Sequence, residues 1–374
     1  MYYKEDWENA KKNLGAFWQG EDIGRPLMAV TSPRTEKSKR FPELQYGPWT
    51  GSMDSYTDSD TKRITSWWTD PEENLEHMVY WFENTYFGGE AVPATHTNWG
   101  ASAAAAFFGS DPHFNKNSVW YSSVIDDWDT WNMRFDGNAN KWWKIIRDII
   151  VYLNDKACGK FLVGMPELGN GADNLSLMRG MDNLAIDCIE NPEAIGNALK
   201  VMDEVWIKLH EELFQLTLEA NDNGGVLPWM MLWAPGRIDQ LACDFSSIIS
   251  PSVFSEIFVP EINLMGTWTK YGMYHLDGPV CLKNMLDILL ELDCIKAIEF
   301  TPGSGMPPTY TPDYIPCYKK ILEKGKRLYL LAEPKEVKIL CETLPSKGLF
   351  LCTYAESKEA ADSLIKQTYQ WSRK

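Results

Sequence analysis

Four short β-like runs recur at nearly even spacing in the last third of the chain, and this regularity constrains the fold most. The gaps between their starts are 25, 31 and 22 residues, and helical patterns fill each gap. Strands that alternate with helices at this pitch form a parallel sheet with crossover connections. The four runs are Tyr271–His275, Lys296–Phe300, Arg327–Leu331 and Leu349–Cys352.

Earlier runs near 27–32, 90–94, 160–164 and 225–230 raise the predicted strand count to eight. The sequence therefore predicts a single (β/α)8 TIM barrel domain over residues 1–374. The first 110 residues form an irregular N-terminal embellishment in this prediction. It comprises an amphipathic helix over about 4–20 and a long polar excursion across the surface at 33–65.

Charge argues against two classes of partner. Lys and Arg total 36 against 52 Asp and Glu, which gives a net charge of -16. Nucleic acids and anionic membrane surfaces attract clustered basic charge, so we expect neither as a partner. The sequence has no secretory signal pattern, and its eight cysteines form no C-x-x-C pair. Such cysteines are typical of reduced thiols, so we expect a cytoplasmic protein.

Polar and aromatic side chains are concentrated where the predicted strands end. In a parallel barrel these ends meet at one rim, where catalytic groups lie. We expect five of the side chains to contact substrate: Glu167, Trp229, Trp233, Asp244 and Tyr274. Three carboxylates are candidate catalytic groups: Asp277, Glu299 and Glu333. Simpler interpretations stay open for each, including a core residue, a helix cap or an ion pair at the rim.

His275 and Asp277 are two residues apart at one strand end, so alternation directs both to the same face. The histidine, carboxylate and thiol side chains at this rim allow two chemistries. They can bind zinc as a Lewis acid, or a carboxylate pair can act as acid and base, as in glycoside hydrolysis. The residues alone do not decide between them. The sequence lacks the P-loop, H-E-x-x-H and G-x-S-x-G motifs of several other enzyme classes.

Two longer segments and one short motif resemble the uroporphyrinogen decarboxylase superfamily. The segments are Leu177–Glu193 and Asp244–Phe254, the second leading to Val259-Pro260, and the motif is His275-Leu-Asp-Gly278. The similarity covers roughly residues 160–374, with weaker matches at Arg25-Pro26 and Asn98–Gly109. The resemblance implies a (β/α)8 barrel. The Arg-Gln-Ala-Gly-Arg signature of true uroporphyrinogen decarboxylases is absent, so we do not expect that activity.

Within the superfamily the chain is most similar to the cobamide-dependent methyltransferase branch. That branch carries a His-x-Cys-Gly motif and holds zinc with the histidine, two cysteines and a further ligand. The resemblance implies His275, Asp277 and Cys352 as metal ligands here, with Asp277 in place of the first cysteine. A carboxylate is a harder ligand than a thiolate and weakens the preference for zinc. His-Leu-Asp-Gly also resembles an uncharacterised subgroup.

The sequence thus predicts an enzyme that moves a methyl group from a methylated small molecule to a corrinoid. No cobalamin-binding domain is visible, so a separate protein would carry the corrinoid. The alternatives are a carbohydrate-active hydrolase or lyase that uses Asp277, Glu299 and Glu333, a decarboxylase-like enzyme, and a binding protein without catalysis. Neither the substrate nor the oligomeric state follows from the sequence, and a homodimer stays open.

Overall fold

The computed structural model describes residues 1–34, 57–115, 118–131 and 133–372. Most of the predicted surface excursion at 33–65 lies outside these ranges. The strands, in chain order, are β1 (Leu27–Pro33), β2 (Thr85–Gly89), β3 (Ala94–Thr95), β4 (Pro112–Phe114), β5 (Val119–Tyr121), β6 (Leu162–Val163), β7 (Gly225–Leu227), β8 (Leu232–Ala234), β9 (Ile238–Ala242), β10 (Tyr271–Asp277), β11 (Ile295–Thr301), β12 (Arg327–Leu331) and β13 (Leu349–Tyr354).

Seven strands form the central sheet in the order β2-β1-β13-β12-β11-β10-β9. Every neighbouring pair is parallel except β1 with β2. The prediction of a mixed α/β fold built on parallel strands is therefore confirmed, and the four evenly spaced runs are β10 to β13. The structure does not show a closed ring of eight strands. β3 pairs with β6 in a separate two-stranded sheet, and β7 pairs with β8 in a hairpin.

Helices follow most of the central parallel strands, as the spacing predicts. The α-helices are α1 (Trp7–Gln19), α2 (Asp58–Thr69), α3 (Pro71–Asn84), α4 (Lys141–Ala157), α5 (Gly171–Arg179), α6 (Met181–Glu190), α7 (Pro192–Thr217), α8 (Pro251–Val253), α9 (Val259–Trp268), α10 (Gly278–Asn284), α11 (Leu286–Leu290), α12 (Ile315–Glu323), α13 (Pro334–Thr343) and α14 (Lys358–Trp371). None in the described ranges is long and apolar enough to cross a membrane.

Proline and capping residues determine several helix boundaries. Asp70 accepts hydrogen bonds from the backbone N–H groups of Glu72 and Glu73, both at 2.9 Å, and Pro71 occupies the first turn of α3. A π-helical segment over Phe254–Phe258 separates α8 from α9. Pro260 has no N–H for an α-helical bond to the preceding turn, which accounts for the wider turn there.

The core lies between the central sheet and the helices around it. Leu349, Phe350 and Leu351 of β13 are all fully buried, so both faces of this strand are covered. Continuous apolar runs of this kind are typical of parallel strands with packing on each side. The polar residues that interrupt β9, β10 and β11 are consequently the unusual positions in the sheet, and they mark the site.

The sequence prediction missed β9 and the turn before it. The predicted strand at 225–230 is shorter in the structure, where β7 and β8 form an antiparallel hairpin before the chain enters β9. Met231 in this hairpin has a φ of 49°, an uncommon backbone conformation for a residue other than glycine. Ile-Asp-Gln-Leu-Ala, the sequence of β9, has two polar residues in five and resembles a loop more than a buried strand.

Candidate active site

A cavity of about 220 Å³ opens at the carboxyl ends of the parallel strands. Residues of β9 and β10, the segments that follow β6, β7 and β9, and helices α5 and α7 contribute to its walls. The lining residues are Ala101, Glu167, Leu168, Gly169, Asn170, Asp173, Trp206, Trp229, Asp239, Gln240, Ala242, Asp244 and His275. Four of them were predicted from the sequence: Glu167, Trp229, Asp244 and His275. The location is the one expected for the active site of a parallel α/β fold.

His275 is held by the neighbouring strand. The carboxylate of Glu299, on β11, contacts Nδ1 of the imidazole and also accepts a hydrogen bond from the Thr301 hydroxyl at 2.7 Å. Burial disfavours the charged imidazole, but the contact with Glu299 and the nearby carboxylates outweigh it and raise the pKa of His275 to about 9. The ring is therefore protonated at neutral pH, and Nε2 is the nitrogen left for a ligand.

Trp229 forms the aromatic wall beside His275. Its indole N–H donates a hydrogen bond to the Gln240 side-chain oxygen at 2.7 Å, which holds the ring in place. The Trp229 and His275 rings meet edge to face, with centroids 5.7 Å apart and an interplanar angle of 89°. The Gln240 amide in turn lies 3.4 Å from Glu167. An apolar surface, a cation and a carboxylate thus adjoin one another within the cavity.

Three carboxyl groups in the cavity have raised pKa values. Burial raises the pKa of Glu167 and, helped by the negative charge of Asp244, raises the pKa of Asp173 to about 7. Asp173 accepts a hydrogen bond from the Phe245 N–H at 3.0 Å, which offsets part of this effect. The pKa of Asp244 is raised as well, because the surrounding protein removes solvent from the carboxylate and nearby carboxylates repel its charge. The side chain is nevertheless exposed to solvent at the cavity. Of the three, Asp173 is the group whose pKa lies near neutral pH, and the other two are shifted in the same direction.

A second histidine lies behind the opposite wall. Nε2 of His210 contacts the Asp239 carboxylate, and its Nδ1 lies 2.8 Å from the Trp206 carbonyl oxygen. The Trp206 and His210 rings are stacked with centroids 3.7 Å apart. Because the carbonyl oxygen can only accept, Nδ1 must carry a proton.

Six predicted site residues do not line the cavity, and Trp233, Tyr274 and Glu333 are three of them. Trp233 packs against Trp7 at 5.7 Å and donates its indole N–H to the Asn221 carbonyl at 2.9 Å, so its role is structural. Tyr274 alternates with His275 along β10 and is directed to the opposite face. Glu333 is exposed beside the start of α13, where it accepts a hydrogen bond from the Tyr354 hydroxyl at 2.6 Å.

The predicted zinc ligands do not form a metal-binding set. Glu299 at Nδ1 leaves Nε2 of His275 free for a metal, but the Cys352 thiol is buried against the Tyr329 hydroxyl and does not line the cavity. Throughout the part of the chain that the structure describes, no three or more His, Cys, Asp and Glu side chains are arranged to hold a metal ion. Asp277 lies near enough to His275 and Asp244 to raise the pKa of both, but it does not line the cavity. These residues therefore do not fit the predicted zinc.

The cavity is also lined by residues that were not predicted from the sequence, among them Asp173, Trp206, Asp239 and Gln240. The latter two lie in β9, the strand that was not predicted, and recognition of that strand would have placed them at the rim. Asp173 lies in the first turn of α5, the helix that follows the loop after β6. Trp206 is in the middle of α7, where helical spacing marks it only as a buried residue. No local signal indicated that Trp206 reaches the cavity.

The comparison with solved structures identifies a shared fold. A methyltransferase from Methanosarcina mazei is similar over 97% of this chain and 98% of its own, with a TM-score of 0.60 and 13% sequence identity. At this identity, the likeness shows that the two proteins share a fold. No protein-family model and no curated protein matches the chain significantly.

Proposed function

We propose that this chain is a methyltransferase that takes a methyl group from a methylated small molecule and passes it to a corrinoid carried by a separate protein. The observation that carries the proposal is the cavity at the strand ends, where Trp229, the protonated His275 and buried carboxyl groups adjoin one another. The fold shared with the Methanosarcina mazei methyltransferase supports the same reaction class. The superfamily resemblance points in the same direction.

We also propose that the sheet belongs to a single closed barrel domain. Backbone hydrogen bonds from Leu162 to Pro93, at 2.9 Å, and from Met165 to Val226, at 3.3 Å, support continuity from β3 through β6 to β7. These segments extend the row of parallel strands between β9 and β1, the two ends that a (β/α)8 barrel has to join.

Each group at the cavity has a role in this proposal. Trp229 provides an apolar surface for the methyl group and the carbon atoms next to it. His275 donates a hydrogen bond from Nε2 to a polar atom of the substrate, and Glu299 keeps the ring oriented. Asp244 and Glu167 exchange protons with the substrate heteroatom, because their raised pKa values bring them towards neutral pH.

The size of the cavity supports delivery of the corrinoid by a partner. Small-molecule sites usually enclose about 300–1,000 Å³, and this cavity, at about 220 Å³, is smaller. It suits the methyl donor and leaves no room for a corrinoid ring, so the acceptor approaches at the mouth. Zinc is not part of the proposal, because the described donors do not fit it. The cytoplasmic location stays a prediction.

The proposal is tested with cob(I)alamin as a free acceptor and a panel of methyl ethers, methyl thioethers and methylated amines. Formation of methylcob(III)alamin is followed by its absorption spectrum. We expect turnover with at least one donor class and a loss of about 100-fold in His275→Gln. Glu356→Gln serves as the matched control, because Glu356 is an exposed carboxylate outside the cavity.

Two results would contradict the proposal. One is an absence of methyl transfer from the whole panel, both with free cob(I)alamin and with corrinoid proteins as acceptors. The other is turnover that His275→Gln leaves at the level of the control.

A further inference from the structure

The charges on the cavity walls do not balance. Glu167, Asp173, Asp239 and Asp244 line the cavity, and none of the lining residues is a lysine or an arginine. His275 is the cationic lining residue, but Glu299 lies directly behind it and compensates its charge. Nε2 of His210 lies against the Asp239 carboxylate. Glu167, Asp173 and Asp244 thus share one cationic ring, since His275 is the charged group that lowers the pKa of all three.

Asp244 is the least satisfied of these three groups. Its carboxylate accepts no hydrogen bond from the described residues, whereas Asp173 accepts one from the Phe245 backbone N–H and the Gln240 amide approaches Glu167. Of the charged groups around it, His275 has the largest effect and lowers its pKa, whereas three carboxylates repel its charge and raise the pKa: Asp277, Glu167 and Glu299. A bound cation would remove this repulsion.

The walls also contain the surface that organic cations prefer. Trp229 and Trp206 both line the cavity, and tryptophan is the aromatic residue that attracts a cation to its face most strongly. Gln240 holds the Trp229 ring in place, so little side-chain freedom is lost on binding. Aromatic and carboxylate walls around a small volume are the arrangement that recognises quaternary ammonium groups. A neutral methyl donor would use the aromatic wall and leave the carboxylates unpaired.

We propose that the cavity binds a small methylated ammonium ion, with its methyl groups against Trp229 and Trp206 and its charge towards Asp244 and Glu167. The binding claim stands on the cavity alone, and the following transfer step rests on the proposed function.

The transfer step balances when the methylated ammonium ion is quaternary. The C–N bond breaks with its electron pair remaining on nitrogen, which leaves as a neutral tertiary amine. The methyl carbon bonds to the cobalt(I) of the partner's corrinoid through the cobalt electron pair, so cobalt is formally oxidised to cobalt(III). The leaving amine needs no proton. His275 therefore does not have to act as its acid and can donate its hydrogen bond to another polar atom of the substrate.

Calorimetric titration of the full chain at pH 8 tests the proposal, with choline and tetramethylammonium as probes. The neutral isostere 3,3-dimethylbutan-1-ol has the same shape as choline without the charge. We expect choline to bind at least about tenfold more tightly than the alcohol, as a cation between aromatic and acidic walls should. Equal affinity for the two, or no binding of either cation, overturns the proposal without use of any variant.

Variants locate the site. We expect Asp244→Asn and Trp229→Leu each to weaken choline binding by about tenfold, since the first removes a charge and the second an aromatic face. Glu356→Gln removes the same charge as Asp244→Asn outside the cavity and should leave the affinity unchanged. Circular dichroism confirms that each variant is folded. Binding that Asp244→Asn and Trp229→Leu leave intact contradicts the proposal, because the cation then binds elsewhere.

The proposed function and this inference fail separately. Cation binding without methyl transfer to cob(I)alamin supports the inference and contradicts the proposed function. Methyl transfer from an ether or a thioether, without cation binding, supports the proposed function and overturns the inference.

Discussion

Glu299 and His275 are register partners on adjacent parallel strands, and the Glu299 carboxylate contacts Nδ1 of the His275 ring. Glu299 is fully buried, so this carboxylate has no solvent to stabilise its charge. The imidazolium and the Thr301 hydroxyl take that role instead. The pair supports the structure, and it also determines which nitrogen of His275 is available at the cavity.

Removal of the Glu299 carboxylate should therefore destabilise the protein. We expect Glu299→Ala to lower the free energy of unfolding by about 3–5 kcal/mol, because it leaves a buried imidazolium unpaired. Glu299→Gln keeps the shape and a hydrogen-bonding oxygen, and should cost about 1–3 kcal/mol. Urea unfolding at pH 7 measures both, with Glu356→Gln as the surface control. Equal stabilities for Glu299→Ala and the control would contradict the buried pair.

A second buried ion pair connects the segment just before β1 with the residue that follows β2. The Arg25 guanidinium and the Glu90 carboxylate form two hydrogen bonds, at 2.6 and 2.9 Å, and Glu90 also accepts from the Met28 N–H at 2.8 Å. We expect Arg25→Met to cost about 3–5 kcal/mol, since it leaves the Glu90 charge buried without its partner. In the double variant with Glu90→Gln, the loss should be smaller than the sum of the single losses. Additive losses in urea unfolding would contradict this coupling.

Stability should fall as the pH rises from about 4 to about 7. Burial and the charge of Glu204 raise the pKa of Asp203 to about 7, and burial together with Asp203 raises the pKa of Glu261. Glu261 accepts backbone hydrogen bonds from Gly171 and Ala172. In this pH window the folded chain keeps a proton that the unfolded chain has lost. The free energy of unfolding therefore decreases with pH.

Asp203→Asn should flatten this dependence, because the amide has no proton to lose. At pH 8 we expect the variant to exceed the wild-type stability by about 1–3 kcal/mol, and at pH 4 the difference should disappear. Urea unfolding at several pH values checks the slope, with Asp148→Asn on the exposed side of α4 as the control. A slope equal to that of the wild type would rule out Asp203 as its source.

Cys352→Ser should leave the metal content of the purified protein unchanged. The Cys352 thiol is hydrogen-bonded with Tyr329, whose hydroxyl donates to the Met230 carbonyl at 2.7 Å, so the thiol belongs to a buried network. Mass spectrometry of protein purified without an affinity tag that binds metals measures the content. His275→Ala is the comparison variant. A stoichiometric metal that is lost in both variants would contradict this geometry and support the predicted zinc ligands.

The local sequence pattern placed His275 at a strand end, but it did not distinguish the tryptophan that lines the cavity from the one that packs in the core. Trp229 and Trp233 are four residues apart and looked equivalent in sequence. The hairpin turn at Met231 separates them, so Trp229 lines the cavity and Trp233 packs on Trp7. The sequence around Glu333 was ambiguous in the same way. A carboxylate that follows a strand and precedes a proline can be a catalytic group at the strand ends or the residue that begins a helix. Only its exposure and its contact with Tyr354 distinguish them.

By itself, the sequence determined the alternation of strands and helices, the starts of α3 and α7, and the strand end that carries His275. These features depend on residues within a few positions of one another, through side-chain periodicity, proline and capping. Only the tertiary structure decided that Glu299 pairs with His275, that Cys352 is in the Tyr329 network and that Asp173 and Asp239 join the cavity. Those contacts depend on strand register and packing between segments up to about a hundred residues apart along the chain, and no local pattern encodes them.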